Sequence, residues 1–190
     1  IYIILFIMAL EKTPICKFGD RAYDFNLKSV DEKNYKLKDI IGKKGTLIMF
    51  ICNHCPYVKS IIRDLIFTTS KLKNYDIGSV AIMPNDTINY PDDSYENMKK
   101  FANQNNFRFP YLIDQTQQVA KNFGAVCTPD FFGYNSKLEL QYRGRLREMQ
   151  NLNPVKNSTN ELMRAMIKIS KTEEGPKEQF PSMGCNIKWK

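Results

Sequence analysis

The sequence lacks the motifs on which several large enzyme classes depend. It has one histidine, His54, and no phosphate-binding glycine loop, no H-E-x-x-H pair and no G-x-S-x-G elbow. Nucleotide-dependent, metalloprotease and serine-hydrolase mechanisms are therefore unsupported. A cysteine hydrolase is also disfavoured, because a lone histidine beside its own nucleophile leaves no separate base to orient.

Long apolar runs are missing as well. The N-terminal run Ile1–Ile7 is too short to span a bilayer, and neither a basic region nor a small-residue cleavage site completes a secretory signal. We interpret residues 1–7 as a non-native leader before a start at Met8, or alternatively as the remnant of an export signal. The prediction is a cytoplasmic protein with no membrane partner, periplasmic or exported if residues 1–10 are such a remnant.

Runs of one charge and flexible linkers are absent too. The net charge is +8, but the basic residues are scattered, with no run longer than a pair, so nucleic acid is not the expected partner. No Gly/Ser-rich linker or repeat divides the 190 residues, of which 43% are hydrophobic. We expect one domain over residues 8–170 and a C-terminal tail over 171–190 that packs on its surface.

Five cysteines are present, an odd number spread from Cys16 to Cys185. That pattern differs from the dense framework of a small secreted domain, so catalytic or free thiols are expected rather than structural disulfides.

Hydrophobic periodicity indicates an α/β chain in which strands and helices alternate. A hairpin at 22–37 leads to a helical turn, and a parallel crossover unit follows. In the last helix, Ser158 and Glu161 fit a capping box at its start. The predicted strands are 22–27, 35–37, 46–51, 78–83, 110–114, 131–134 and 138–143, and the predicted helices follow Cys55, surround Phe101, span 116–123 and begin at Ser158.

Cys55 is the main candidate for chemistry. It follows the apolar strand 46–51 and precedes Pro56, which suits the first position of a helix. Free N–H groups and the helix dipole at that junction favour thiolate over thiol. The alternative, a buried and inert thiol, fits this placement less well.

Thr128-Pro129 is the second candidate feature. Pro129 precedes an aromatic strand and can be an ordinary edge position or a cis-proline that holds backbone groups beside the thiol.

Together these features resemble the thioredoxin superfamily over residues 8–190. More narrowly, the chain resembles the peroxiredoxin-like branch of the alkyl hydroperoxide reductase and thiol-specific antioxidant group. The resemblance implies a thioredoxin-like fold, with a central mixed β-sheet, helices on both faces, an N-terminal β-hairpin and an extended C-terminal tail. The motifs that carry it are Asn53-His-Cys-Pro-Tyr-Val-Lys59, Thr128-Pro-Asp-Phe-Phe132, Tyr142-Arg-Gly-Arg145 and Gly184-Cys-Asn-Ile-Lys-Trp189.

The register of that resemblance departs from the family patterns. A gapless overlay aligns Cys55 with the first thioredoxin cysteine and Val58 with the second, so the usual resolving cysteine is missing. Met49 occupies the place of the buried thioredoxin acid. The peroxiredoxin pattern P-x-x-x-T-x-x-C also fails, because Ile48 and Cys52 stand where it has Pro and Thr.

Cys127, Cys52 and Cys185 are the candidates to resolve an oxidised Cys55. Cys127 lies in the loop that faces the active-site helix in the resembled fold, so it can approach Cys52 or Cys55. Cys185 is either a resolving thiol or a surface-tail thiol. Arg145 either stabilises an anion at the site or is a solvated charge.

His54 borders the nucleophile, where it can favour the thiolate as a cation or relay a proton as a neutral ring. A local hydrogen bond in an exposed loop is its ordinary alternative.

Three functions follow. The first is a thiol-disulfide oxidoreductase or antioxidant that uses Cys55, with no cofactor and no metal, and with a protein disulfide or small peroxide as substrate and an unidentified thiol as reductant. The second is a thiol peroxidase. The third is a metal-binding or metallochaperone module with Cys52, Cys55, Cys127 and His54 as ligands. The expected state is a monomer or homodimer.

Overall fold

The computed structural model describes residues 10–190, and the predicted leader at 1–7 lies outside them. The helices are α1 (Leu37–Ile40), α2 (Pro56–Leu72), α3 (Tyr95–Gln104), α4 (Gln118–Phe123) and α5 (Glu161–Thr172). The strands are β1 (Leu10–Lys12), β2 (Asn26–Ser29), β3 (Asn34–Lys36), β4 (Gly45–Phe50), β5 (Ile77–Met83), β6 (Tyr111–Ile113), β7 (Cys127–Thr128), β8 (Asp130–Tyr134), β9 (Leu140–Tyr142), β10 (Met149–Gln150), β11 (Asn153–Pro154) and β12 (Met183–Asn186).

A mixed sheet in the order β3-β2-β6-β5-β4-β8-β9 forms the centre of the molecule. β4, β5 and β6 run parallel, whereas the hairpin β2–β3 and the strands β8 and β9 pair antiparallel. The predicted α/β architecture with a mixed sheet and an early hairpin is therefore confirmed.

Two apolar layers cover the two faces of the sheet, and alternate residues of β4 contribute to one layer or the other. Leu47 and Met49 face the layer that holds α2, α3 and α5, while Ile48 and Phe50 face the layer that holds α1 and α4. Because successive side chains of a strand point to opposite faces, a continuous apolar strand fills both layers. In the described residues, no helix combines the length and the apolar character that crossing a bilayer requires.

The predicted capping box of Ser158 and Glu161 at the start of α5 is wrong. The cap is Asn160, whose Oδ1 accepts a hydrogen bond from the Met163 N–H at 2.9 Å. Asn160 also donates to Thr68 Oγ1 at 2.7 Å, which ties α5 to α2. Glu161 is unavailable to a capping box because its carboxylate binds Arg145.

The last part of the C-terminal tail enters the fold as the strand β12. β12 pairs antiparallel with β1 on one side and with β7 on the other, with Cys185 opposite Thr128. Cys185 and Ile187 are buried. The tail is anchored further by the Lys188 N–H, which donates to Asn85 Oδ1 at 2.9 Å.

Candidate active site

Cys55 is the N-cap residue of α2, and Pro56 occupies the first turn. The thiol lies where β4 ends and α2 begins, as its sequence context predicts. Its residue is completely buried. The thiol is therefore enclosed, and its reaction with a large substrate would require the surrounding segments to open.

The sulfur of Cys55 contacts two groups from the far side of the site. Cys185 Sγ lies 3.0 Å from Cys55 Sγ, and the Thr128 carbonyl oxygen lies at 3.1 Å. As a thiol, Cys55 can donate to that carbonyl. As a thiolate, it accepts from the thiol of Cys185 instead.

Hydrogen bonding separates the pKa values of these thiols. The S–H groups of Cys185 and Cys52 and the backbone N–H groups of Cys185 and Val58 hold the pKa of Cys55 well below its ordinary value, and they outweigh burial. The same bond to Cys55, together with burial, raises the pKa of Cys185. Burial first, and then the bond to Cys55, raises the pKa of Cys52. These contacts favour the thiolate form of Cys55 and the protonated forms of Cys185 and Cys52.

The peptide bond between Thr128 and Pro129 is cis. Thr128 faces both cysteines of the Cys52–Cys55 segment, because its carbonyl oxygen contacts Cys55 and its Oγ1 lies 3.3 Å from Cys52 Sγ. The loop before Pro129 thus forms one wall of the site.

The hydrogen-bond partners described for Cys127 and Arg145 are groups other than the sulfur of Cys55. The sulfur of Cys127 lies 3.5 Å from the carbonyl oxygen of Pro129, and burial raises its pKa. The guanidinium of Arg145 binds the carboxylate of Glu161 at 2.8 Å, rather than the sulfur of Cys55. It also lies 4.7 Å from the ring centroid of Phe180. Its charge is therefore compensated locally.

The surroundings of His54 contain a residue that the sequence did not single out. His54 Nδ1 lies 2.6 Å from Oδ2 of Asp93, a fully buried carboxylate. Oδ1 of Asp93 accepts from the backbone N–H groups of Asn53 and His54, and Oδ2 also accepts from Asn85. Asp93 was missed because it ends a single 3₁₀ turn, Pro91–Asp93, which is too short to show a periodic pattern.

Cys52, His54 and Asp93 place a sulfur, a nitrogen and an oxygen within 4.8 Å of one another. That spacing would admit a metal ion, but Cys127, one of the predicted ligands, is not in the group. Both oxygens of Asp93 already accept hydrogen bonds, one of them from the imidazole. The contacts are those of a hydrogen-bonded pair.

Solved structures resemble the chain over nearly its full length. An uncharacterized conserved protein from Geobacillus kaustophilus is 39% identical, with a TM-score of 0.90, over 96% of this chain and 97% of that one. A hypothetical protein from Sinorhizobium meliloti 1021 is 32% identical, with a TM-score of 0.86, over 94% and 97%.

A more distant structure is the peroxidoxin BcpB from Mycobacterium tuberculosis. It is 18% identical, with a TM-score of 0.55, over 66% of this chain and 83% of that one, and it supports the fold alone. No curated protein matches the chain significantly.

The family model of the AhpC/TSA family matches residues 18–149, more than half of the chain. Together with the thioredoxin-like sheet and the cysteine at the start of α2, this match establishes the class of chemistry. The chain therefore belongs to the AhpC/TSA family and is an oxidoreductase that acts through thiols.

Proposed function

We propose that the protein is a thiol-disulfide oxidoreductase in which Cys55 is the nucleophile and Cys185 is the resolving thiol. The separation of 3.0 Å between their sulfur atoms carries this proposal. It also accounts for the missing cysteine in the register of the active-site helix, because the second thiol comes from the C-terminal tail. Pro129 and Thr128 support the site by bringing backbone and hydroxyl oxygens to the cysteines.

The cycle has two steps. The thiolate of Cys55 attacks a disulfide R–S–S–R′, a mixed disulfide Cys55–S–S–R forms, and R′S⁻ leaves and takes up a proton. Cys185 then loses its proton and attacks the sulfur of Cys55, which releases RS⁻ and leaves a Cys55–Cys185 disulfide. An external thiol restores both cysteines by the same exchange.

A hydroperoxide is the alternative oxidant at the same thiolate. In that case Cys55 becomes a sulfenic acid and the peroxide leaves as an alcohol or water. Cys185 then displaces water to form the same disulfide. Both oxidants lead to the Cys55–Cys185 disulfide, and the two reactions differ in the rate at which Cys55 is first oxidised.

Disulfide mapping tests the assignment of Cys185. The reduced protein is treated with one equivalent of diamide, digested without reduction and analysed by mass spectrometry. We expect a Cys55–Cys185 peptide pair in the wild type and in Cys127→Ser and Cys52→Ser, and its loss in Cys185→Ser alone. A dominant pair of Cys55 with Cys52 or Cys127 would contradict the proposal.

Stopped-flow mixing identifies the oxidant. We expect the reduced protein to react with an alkyl disulfide much faster than free cysteine does at the same pH. A large acceleration with hydroperoxide instead would make peroxide the substrate and leave the resolving step unchanged.

A further inference from the structure

The buried pair formed by Asp93 and His54 has no part in the cycle described so far. The side chain of Asp93 is fully buried and that of His54 is 17% exposed, so the pair connects the interior to the surface. One oxygen of Asp93 contacts Nδ1 of the ring. The other oxygen accepts hydrogen bonds from the backbone N–H groups of Asn53 and His54. Asn85 fixes the carboxylate in turn and accepts from Lys188 of the tail.

The ring lies beside the segment that carries Cys52 and Cys55. His54 directly precedes Cys55, and its Nδ1 is 3.9 Å from Cys52 Sγ. With Nδ1 committed to Asp93, the proton on Nε2 is the one available for transfer. The ring of Tyr90 is stacked against the imidazole, with centroids 6.3 Å apart.

The charges around His54 favour its protonated form. The hydrogen bond that His54 donates to Asp93 raises the pKa of His54 and outweighs burial, and the negative charge of Cys55 acts in the same direction. Lys188 opposes them. His54 also borders an open cleft whose charged lining residues are Lys59, Asp92 and Lys100.

An acid can accelerate the first step of the cycle. Attack by a thiolate expels R′S⁻ from a disulfide or an alkoxide from a hydroperoxide, and a basic leaving group, such as an alkyl thiolate or an alkoxide, departs faster when it gains a proton. Among the described residues, histidine occurs at position 54 alone, and both neighbouring thiols have raised pKa values. An imidazolium at the mouth of the buried site is a stronger acid than either thiol.

We propose that His54 is the general acid that protonates the leaving group when Cys55 attacks, and that Asp93 is the positioning residue that orients the ring and keeps it charged. This inference rests on the proposed function, because it concerns the same attack by Cys55. Electrons pass from the sulfur of Cys55 to the leaving atom, and the proton passes from His54 Nε2 to that atom. Solvent then returns a proton to the ring.

Variation of the leaving group separates this role from simple stabilisation of the thiolate. His54→Gln is compared with wild type for loss of the Cys55 thiol under excess disulfide. The oxidants are an aromatic disulfide, whose leaving thiol is acidic, and a dialkyl disulfide, whose leaving thiol is not. A general acid matters only for the poor leaving group. We expect a loss of at least about tenfold with the dialkyl disulfide and less than about twofold with the aromatic one. Equal losses would overturn the proposal.

The role of Asp93 is tested with a neighbouring carboxylate as control. Asp93→Asn removes the charge at the ring, whereas Asp92→Asn removes an exposed carboxylate one residue away. Because Asp93 raises the pKa of His54, Asp93→Asn should slow the dialkyl reaction at pH 7.5. The ratio of its rate to that of wild type should return toward one at lower pH, where the imidazole regains its proton. Asp92→Asn should stay within about twofold of wild type throughout.

The single histidine gives an independent readout that does not depend on activity. Proton NMR of the imidazole should show titration of His54 above the ordinary value of about 6.5 in wild type and at lower pH in Asp93→Asn. Unchanged titration in that variant would overturn the positioning role even if the enzyme lost activity. Stoichiometric metal in the purified wild type, lost in Asp93→Asn, would overturn it as well.

The experiments distinguish a failure of the general-acid proposal from a failure of the proposed function. If the oxidised protein lacks the Cys55–Cys185 disulfide but shows the leaving-group difference, only the assignment of the resolving thiol fails. If the disulfide forms and the two oxidants respond equally to His54→Gln, only the general acid fails.

Discussion

At the scale of single residues, the site depends on an unequal distribution of protons among similar thiols. Hydrogen bonds from Cys185 and Cys52 lower the pKa of Cys55, whereas the bond to Cys55 raises the pKa of Cys185 and burial, followed by that bond, raises the pKa of Cys52. The start of α2 adds the backbone N–H of Val58 as a further donor to the same sulfur. Because both thiols stabilise the same thiolate, loss of either donor should raise the pKa of Cys55.

Replacement of Cys185 by alanine tests this cooperation. Cys185→Ala removes the largest hydrogen bond that lowers the pKa of Cys55, so that pKa should rise toward its ordinary value of about 8.5. The measurement is thiolate absorbance at 240 nm against pH. Cys127→Ala is the matched control, because its sulfur is also buried but bonds to Pro129. A titration that does not move in Cys185→Ala would contradict the arrangement.

The sequence identified some of these residues and missed others for a physical reason. Local sequence signals identify Cys55, Pro56 and the Thr128-Pro129 pair. A strand, the start of a helix and a proline can each be predicted from adjacent residues. The environments of Cys185 and Asp93 depend on long-range pairing. The strand β12 has only four residues, and Asp93 lies in a three-residue 3₁₀ turn, so neither segment is long enough for its periodicity to report burial.

At the scale of elements, α5 is fixed by Asn160, which caps the helix and also bonds to α2. The apolar pattern predicted the helix itself, but its start was placed at Ser158. A capping box is a local signal, and the tertiary bonds of Glu161 with Arg145 and of Asn160 with Thr68 override it.

Asn160→Ala should destabilise the protein by about 1–2 kcal/mol, because it removes the cap and a buried hydrogen bond to Thr68. Ser158→Ala should change the free energy of unfolding by less than about 0.5 kcal/mol, since the described contacts of Ser158 do not include a helix cap. Urea unfolding of the reduced proteins measures both. The reverse order would restore Ser158 as the cap.

At the scale of the whole molecule, the tail joins the two ends of the described chain. β12 lies between β1 and β7, so the last residues hold the first strand and the active-site loop together. The cysteines of the proposed disulfide are 130 positions apart. The redox state of the site is therefore linked to the stability of the fold.

A disulfide that closes a loop of this length restricts the unfolded chain and should stabilise the oxidised protein by about 5 kcal/mol in the chain-entropy model. Urea denaturation of oxidised and reduced wild type measures the difference. Cys185→Ser, treated in the same two ways, should show no gap between its midpoints. Equal midpoints in oxidised and reduced wild type would argue against a bond between these residues.

The position of Trp189 gives the tail an optical reporter. It is the only tryptophan of the chain, it lies four residues after Cys185, and its ring is 42% exposed with the ammonium of Lys121 at 5.6 Å from the centroid. A displacement of β12 would change the solvent exposure of this ring and its distance from the charge of Lys121. Intrinsic fluorescence can therefore follow the movement of the strand that covers Cys55 without any attached dye.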